Sequence, residues 1–310
     1  MMNKTSRTHD FELRPGMKIH GKWHKRSYLI KKKLGNGAIG TVYLCEESKK
    51  LFALKISSKN SSMTMEVNVL KSLEKVQGNR LGPYLIDVDD WLAPNGSTYS
   101  FYVMEYIDGQ TIHDFISRNG KEWIGVFILQ LLDDLEKLHQ AGWVFGDLKT
   151  DNLIVSSNPP KIRWIDVGGT TQIGRAIKEY TEFYDRGYWE LGSRRAEPTY
   201  DLFALVMIFL NLFYPSRFEK GANTKASLFK RIDKVQALRP YEVCFKKALT
   251  GKYRSAKEMR QEIAQRLYNT QRKVAHNQKT PSDNYPPILF ESIGITLIAF
   301  IYYVTSLLVY

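Results

Sequence analysis

Hydrophobic residues in the first third of the chain recur in short alternating runs bounded by glycines and charges. Residues 28–34, 41–45, 51–56 and 101–104 each read as a strand, with a glycine-rich turn between the first two. Residues 61–74 change period, placing Val67, Leu70 and Leu73 on one face of a helix. From residue 107 onward helical spacing dominates. Residues 123–139 carry Ile124, Phe127, Ile128, Leu131, Leu135 and Leu138 on a helical repeat, and 256–267 read as a final helix. Residues 202–213 are apolar almost throughout; too short to cross a bilayer, they predict a central buried helix. The shift at 106–109 predicts an α+β, bilobal body. A small β-rich lobe, residues 19–106, joins a large helical lobe, residues 107–268, with a cleft between them.

The ends break this pattern differently. Residues 292–310 carry no charge and are apolar on all sides, including Ile293, Leu297, Phe300, Val304 and Leu308. As a helix they would extend roughly 28 Å at about 1.5 Å per residue, close to a hydrocarbon core. Tyr302, Tyr303 and Tyr310 suit an interface. A single C-terminal transmembrane tail anchor is expected here, behind a linker at 269–291; a buried terminal helix is the alternative. Arg272, Lys273 and Lys279 lie upstream, which places the body on the cytoplasmic side of the cell membrane. Residues 1–18 form a basic arm without the apolar core of a secretory signal.

Composition narrows the class. With 43% apolar and 25% charged residues among 310, the chain is neither largely disordered nor a multi-span membrane protein. Two cysteines, Cys45 and Cys244, exclude a disulfide framework and a four-cysteine zinc site, and the six histidines show no metal-ligand spacing. The net charge of +13 is concentrated: residues 1–33 and residues 246–280 each carry +8, leaving −3 for the rest. Such blocks suit DNA or an anionic lipid surface, or are simply solvated. Only Tyr253 and Tyr268 are aromatic in the second block, so base stacking has little support there.

The chemistry begins with Gly35-Asn36-Gly37-Ala38-Ile39-Gly40-Thr41-Val42, whose glycines let backbone N–H groups approach phosphate oxygens. A strand rather than a helix follows, which favours a β-hairpin flap over a nucleotide. Lys55 follows in Phe-Ala-Leu-Lys, and Glu66 lies on the next helix. Gly146-Asp147-Leu148-Lys149-Thr150-Asp151-Asn152 forms a polar loop, Ile165-Asp166-Val167-Gly168 a second acidic turn, and Asp201 opens the apolar helix. In this order and spacing the set resembles the protein kinase family. The resemblance covers residues 19–267 and implies ATP and Mg2+ as cofactors.

The resemblance also implies roles. Lys55, oriented by Glu66, holds the α/β-phosphates. Asn152 and Asp166 ligate Mg2+. Asp147 accepts the acceptor hydroxyl proton, and Lys149 neutralises the moving phosphoryl group. Residues 35–42, Ala53, Glu105 and Ile107 surround the nucleotide, with Met104 as gatekeeper and 105–107 as the hinge. The Asp-Leu-Lys-x-x-Asn spacing resembles the serine/threonine type.

Three departures stand out. The family's His-Arg-Asp reads Phe145-Gly146-Asp147, and the Phe of its Asp-Phe-Gly is Val167. Gly146 removes an arginine that pairs with a phosphorylated activation segment in many kinases. Residues 184–188 stand where Ala-Pro-Glu is expected, without its glutamate. Thr170, Thr171, Tyr180, Thr181 and Tyr184 supply candidate phosphoacceptor hydroxyls.

At a finer grain, the Gly-Asp loop, Asp-Val-Gly-Gly-Thr-Thr, Glu-Tyr-Thr-Glu-Phe-Tyr-Asp-Arg-Gly-Tyr-Trp and the apolar tail resemble YabT-type Hanks kinases of spore-forming bacteria. An active membrane-anchored serine/threonine protein kinase is expected, open to polyanion stimulation and to self-association for trans-autophosphorylation. A nucleotide-binding pseudokinase scaffold and a small-molecule phosphotransferase are the alternatives.

Overall fold

The computed structural model describes residues 12–278, apart from 38–39, 59, 75–80 and 158. The expected anchor at 292–310 and most of the basic arm lie outside the described residues. Among the described residues no helix is long and apolar enough to cross a membrane.

The first compact unit runs to Ile263. Its N-terminal part is a six-stranded antiparallel sheet, ordered β1-β2-β3-β4-β6-β5. The strands are β1 (Lys18–His20), β2 (Ser27–Asn36), β3 (Thr41–Glu47), β4 (Lys50–Ser57), β5 (Leu85–Leu92) and β6 (Thr98–Glu105). Helix α1 (Asn60–Glu74) packs on β5 and β6. Ser48 and Lys49 take φ of +49° and +64° and close the β3–β4 hairpin in two residues. Such a mirror-image turn matches the twist of its strands. Tyr28, Ile30, Tyr43, Cys45, Leu54 and Phe101 fill the core beneath the sheet.

Strand β5 has no counterpart in the sequence reading, and its side chains explain why. Asp87 and Asp89 point inward and are 6% and 4% exposed. Asp87 accepts from the Tyr28 hydroxyl at 2.6 Å, while Asp89 accepts from the Trp23 and His24 N–H groups, each at 2.8 Å. Buried carboxylates are tolerated when donors satisfy them, but they erase the apolar alternation by which a strand is recognised. His24 joins the two acids, and every oxygen of both already accepts from a protein donor.

The C-terminal part is mainly helical. It contains α2 (Ile112–Asn119), α3 (Trp123–Gln140), β7 (Trp143–Val144), β8 (Leu153–Ser157), β9 (Pro160–Trp164), β10 (Thr171–Gln172), α4 (Pro198–Phe213), α5 (Thr224–Lys234), α6 (Glu242–Leu249) and α7 (Ala256–Gln278). Proline opens α4, where its missing N–H costs nothing. Every residue from Tyr200 to Leu210 is buried, so α4 is the expected central helix. Gln110 and Val155 exchange backbone hydrogen bonds at 3.1 and 2.8 Å, fastening the connection after β6 onto β8.

Helix α7 continues to Gln278, into the segment read from the sequence as a linker. A second unit begins at Ala264, and its described part is this helical stretch. The C-terminal basic block is less free than its charge sum implies. Lys246 pairs with Asp233 and Glu242, Lys247 with Glu262, and Arg260 with Asp133.

Asp134 on α3 is 6% exposed, and burial pushes its carboxyl up to about 6 against the pull of Lys161 and Lys137. The folded chain therefore holds a proton that the unfolded chain releases, and stability falls as pH rises from 3.8 to about 6. Asp134→Asn is expected to raise the unfolding free energy at neutral pH by ~1–3 kcal/mol and to flatten that acid slope. Denaturant titrations across this pH range check it; an unchanged slope refutes the assignment.

Candidate active site

Lys55 on β4 and Glu66 on α1 meet in the buried base of the N-terminal part. Lys55 Nζ donates to Glu66 Oε1 at 2.8 Å, with 4% and 1% of the two side chains exposed. The Asp166 carboxylate faces the same ammonium at 3.6 Å. Burial favours the neutral amine, but Asp166 and Glu66 outweigh it and hold Lys55 charged above its usual range. The Tyr102 hydroxyl donates to Glu66 Oε2 at 2.8 Å. Burial and the nearby Glu66 push that phenol well up, so it stays a donor. Tyr102 is opposite Lys55 in the β4–β6 register, and sequence reading saw it only as a strand residue.

The catalytic loop follows β7 and hangs from α4. The fully buried Asp201 carboxylate accepts from the Phe145 N–H at 2.8 Å and the Gly146 N–H at 3.0 Å, and contacts His139 Nε2 at 2.9 Å. Phe145 is buried edge-on against Trp164, with ring centres 4.9 Å apart, and Val167 is also buried. Both replacements of the family pattern thus keep apolar packing.

Gly146 has φ +79°, and a Cβ there would sit 2.5 Å from the Gly169 carbonyl oxygen. A Cβ on Gly169 would in turn sit 2.7 Å from Asp147 Cβ. The two glycines let the catalytic loop and the acidic turn lie against each other.

Around Asp147 the polar groups converge. Lys149 Nζ donates to Asp147 Oδ2, and the Thr181 hydroxyl donates to Oδ1 at 3.0 Å. Asn152 Nδ2 donates to the Asp147 carbonyl at 2.9 Å, leaving its amide oxygen for another partner. Asp166 Oδ1 accepts from the Gly168 N–H at 3.0 Å, and Oδ2 accepts no hydrogen bond from a described residue. An amide oxygen and a half-exposed carboxylate are hard oxygen donors, so the set fits Mg2+.

The nucleotide flap is only partly described, since Ala38 and Ile39 lie outside the described residues. Gly35 has open space where a Cβ would stand, and Gly37 has only the Gly40 carbonyl at 3.7 Å, as a phosphate cradle requires. Gly40 serves packing instead, because a Cβ there would overlap the Ile56 carbonyl. Thr41 donates to Asn36 Oδ1 at 2.7 Å and closes the turn. Val42 is opposite Lys55 in the β3–β4 register, and Ala53 is opposite Met104 between β4 and β6. Met104 is buried, while Glu105 and Ile107 are half-buried where the chain leaves β6. Glu105 donates its N–H to the Tyr84 carbonyl at 2.9 Å, and its carboxylate pairs with Arg163 at 2.8 Å.

The activation segment changes the reading of its hydroxyls. Thr181 is engaged at Asp147, Thr170 and Tyr184 are buried, and Thr171 donates to the Gly169 carbonyl at 3.0 Å. Tyr180 is 39% exposed, with the Arg194 guanidinium 4.2 Å from its ring centre. Asp185 is fully buried where the missing glutamate was expected. It accepts from the Gly187 and Tyr188 N–H groups, the Tyr200 hydroxyl and Arg194, at 2.7 to 3.0 Å. Glu179, given no role by the sequence, has its carboxyl raised by partial burial and by Glu66, against Lys55, with Asp166 and Asp147 adding to the rise.

Restoring the family's arginine by Gly146→Arg is expected to lower activity. The left-handed backbone and the Gly169 contact make the substitution destabilising by ~1–3 kcal/mol. Thermal unfolding and phosphoryl-transfer rates check this; a variant as stable and active as the parent would refute the role given to the glycine pair.

A protein kinase domain family model matches residues 28–279. The serine/threonine-protein kinase YabT of Bacillus subtilis is 50% identical over 264 residues, covering 85% of this chain and 78% of that protein. The sporulation protein kinase mde3 of Schizosaccharomyces pombe is 31% identical over 146 residues, 43% of this chain and 26% of that protein. The serine/threonine-protein kinase ArnS of Sulfolobus acidocaldarius is 25% identical over 232 residues, 61% of this chain and 36% of that protein. With the Lys55–Glu66 pair, the Asp147 loop and the Asp166 turn assembled as described, the chain belongs to the protein kinase family, as an enzyme of the serine/threonine type that uses ATP and Mg2+.

Proposed function

We propose that this kinase transfers the γ-phosphoryl group of ATP to serine and threonine hydroxyls of proteins, working at the inner face of a membrane and stimulated by a polyanion such as DNA. The observation that carries catalysis is the closed Lys55–Glu66 pair facing Asp166 at 3.6 Å. Lys55 binds phosphate oxygens as a fixed ammonium. Asp147 orients the acceptor hydroxyl and takes its proton, and Lys149 offsets negative charge on the group being moved. Asn152 and Asp166 would hold Mg2+, which supplies charge neutralisation on the phosphates.

The uncharged run at 292–310 supports the membrane part of the proposal. The polyanion part rests on cations near the end of α7. Arg272, Lys273 and Lys279 stand next to the proposed anchor, where phosphates of DNA or anionic headgroups would gather several copies for trans-phosphorylation. Gly146 offers no guanidinium for a phosphate switch, so recruitment by an external polyanion supplies the activating step in this proposal.

Asp147→Asn is expected to lower transfer by roughly 10²–10⁴-fold with nucleotide binding retained. Labelled phosphate incorporation and nucleotide titration check it, and a variant at the parent rate would remove Asp147 from the chemistry. Deleting 292–310 is expected to move a folded, active kinase from the membrane to the soluble fraction. Aggregation of the truncated chain would point to a core helix instead.

On the truncated protein, neutralising Arg272, Lys273 and Lys279 is expected to reduce the salt slope of duplex binding by up to about 2.7, at about 0.9 per contact. It should also abolish stimulation by DNA. Stimulation that survives neutralisation would exclude these cations from the mechanism.

A further inference from the structure

Thr150 opens the single helical turn, Thr150–Asn152, that follows Lys149 in the catalytic loop. The family's pattern for this loop leaves the position unspecified. Its half-buried hydroxyl nevertheless meets two other elements. It lies 2.9 Å from the Tyr184 hydroxyl of the activation segment and 3.3 Å from Asn211 Oδ1 in the last turn of α4. The Tyr184 hydroxyl donates to the same Asn211 oxygen at 3.0 Å.

The direction of these bonds follows from Asn211. Its Nδ2 donates to the Tyr214 carbonyl at 3.1 Å, where α4 ends and carbonyls lack helical partners. That fixes which way the amide faces and leaves Oδ1 as an acceptor. Tyr184 is 2% exposed, and burial pushes its phenol up, against the Thr150 hydrogen bond. The phenol therefore keeps its proton and gives it to Asn211, while Thr150 donates to Tyr184.

Both ends of this relay return to Asp147. Lys149, the neighbour of Thr150, donates to Asp147 Oδ2, and Asn152 Nδ2 donates to the Asp147 carbonyl at 2.9 Å. Tyr184 closes the turn Glu182–Tyr184, and its N–H donates to the Thr181 carbonyl at 2.9 Å. The Thr181 hydroxyl then donates to Asp147 Oδ1 at 3.0 Å. The contacts run in a closed circuit from Asp147 through Lys149, Thr150, Tyr184 and Thr181 and back, and Asn211 ties the circuit to the central helix. A β-branched side chain is stiff at χ1, so holding the Thr150 hydroxyl also holds the backbone of its turn. Arg217, 5.5 Å from the Tyr184 ring centre and 3.7 Å from Asp151, bridges the same two segments a second time.

We infer that Thr150 is a positioning residue for the acceptor: through Tyr184 its hydroxyl keeps the catalytic loop and the activation segment at one separation, which sets the space beside Asp147 where an acceptor hydroxyl is received. The inference rests on the kinase reading and adds to it the means by which the acceptor is placed. The phosphate side of the cleft is held separately, by the Lys55–Glu66 pair facing Asp166. Loss of the Thr150 hydroxyl should therefore impair transfer to a protein and spare both ATP binding and the slow transfer to water, which needs no seat.

The test uses the full chain, with an inactive copy, Asp147→Asn, and casein as acceptors, the better of the two serving for kinetics. The quantity read is the rate of transfer to the acceptor divided by the rate of ATP hydrolysis without it. Thr150→Val removes the hydroxyl and keeps the shape; it should lower this ratio ~5–10-fold, the scale of a hydrogen bond left incomplete, with KM for ATP unchanged. Thr150→Ser should restore most of the loss. Tyr184→Phe should reproduce the defect, and the double variant should be no worse than the poorer single one, as for members of one network. A merely structural role would reduce the amount of folded enzyme, lowering both rates together and leaving the ratio untouched. A parental ratio in Thr150→Val, a defect that serine does not relieve, or single defects that multiply in the double variant would overturn the inference. Absence of transfer from the parent to either acceptor and to itself would instead overturn the kinase reading beneath it.

Discussion

The Asp201 carboxylate, without solvent exposure, is the anchor on which the catalytic geometry depends. A buried carboxylate left without donors costs several kcal/mol, so it enforces the arrangement that satisfies it. Here the donors are the N–H groups of Phe145 and Gly146, immediately before Asp147, with His139 on α3 as a third contact. The charge therefore fixes the catalytic loop to the central helix through its backbone, leaving the Asp147 side chain free to meet Lys149, Thr181 and the acceptor. Side-chain identity at position 145 matters for packing alone, which is why phenylalanine serves there.

Local constraint and regulation are coupled at the next residue. Position 146 combines a left-handed backbone with close contact to the Gly169 carbonyl, and only glycine meets both conditions without strain. The arginine common in the family would have to part this loop from the acidic turn. Further along, one buried acid, Asp185, gathers two backbone N–H groups, a phenol and Arg194. The segment is thus held by neutral and basic donors of its own chain.

Much of the fold was legible because its elements carry their own periodicity: strands β2 to β4, helix α3 and the apolar run of α4 all follow directly from spacing. The catalytic set was legible because five short motifs occur in one order. What escaped depends on partners far away in sequence. Strand β5 hides because Asp87 and Asp89 face inward, towards donors some 60 residues earlier. Thr181 resembles every other hydroxyl in its segment until Asp147 is placed beside it. Tyr102 gains its role only when β6 is set against β4. The basic block was overcounted for the same reason, since a charge sum does not know that Asp133 stands opposite Arg260. Helix α7 runs past its predicted end because its final turns are polar, and polarity alone reads as linker.

The joint between the two parts of the first unit is clamped on both sides. Glu105 is tied to Tyr84 and Arg163, and Gln110 exchanges hydrogen bonds with Val155. Gly109 lies close under the Val155 carbonyl, where a Cβ would stand at 2.5 Å. Any opening of the cleft must therefore be taken up as torsion over residues 106–109, a short rod rather than a loose strap. The stiffness of that rod links the escape of spent nucleotide to four pairs of backbone angles. The work of opening the cleft thus falls on a short backbone stretch, well away from the atoms that exchange the phosphoryl group.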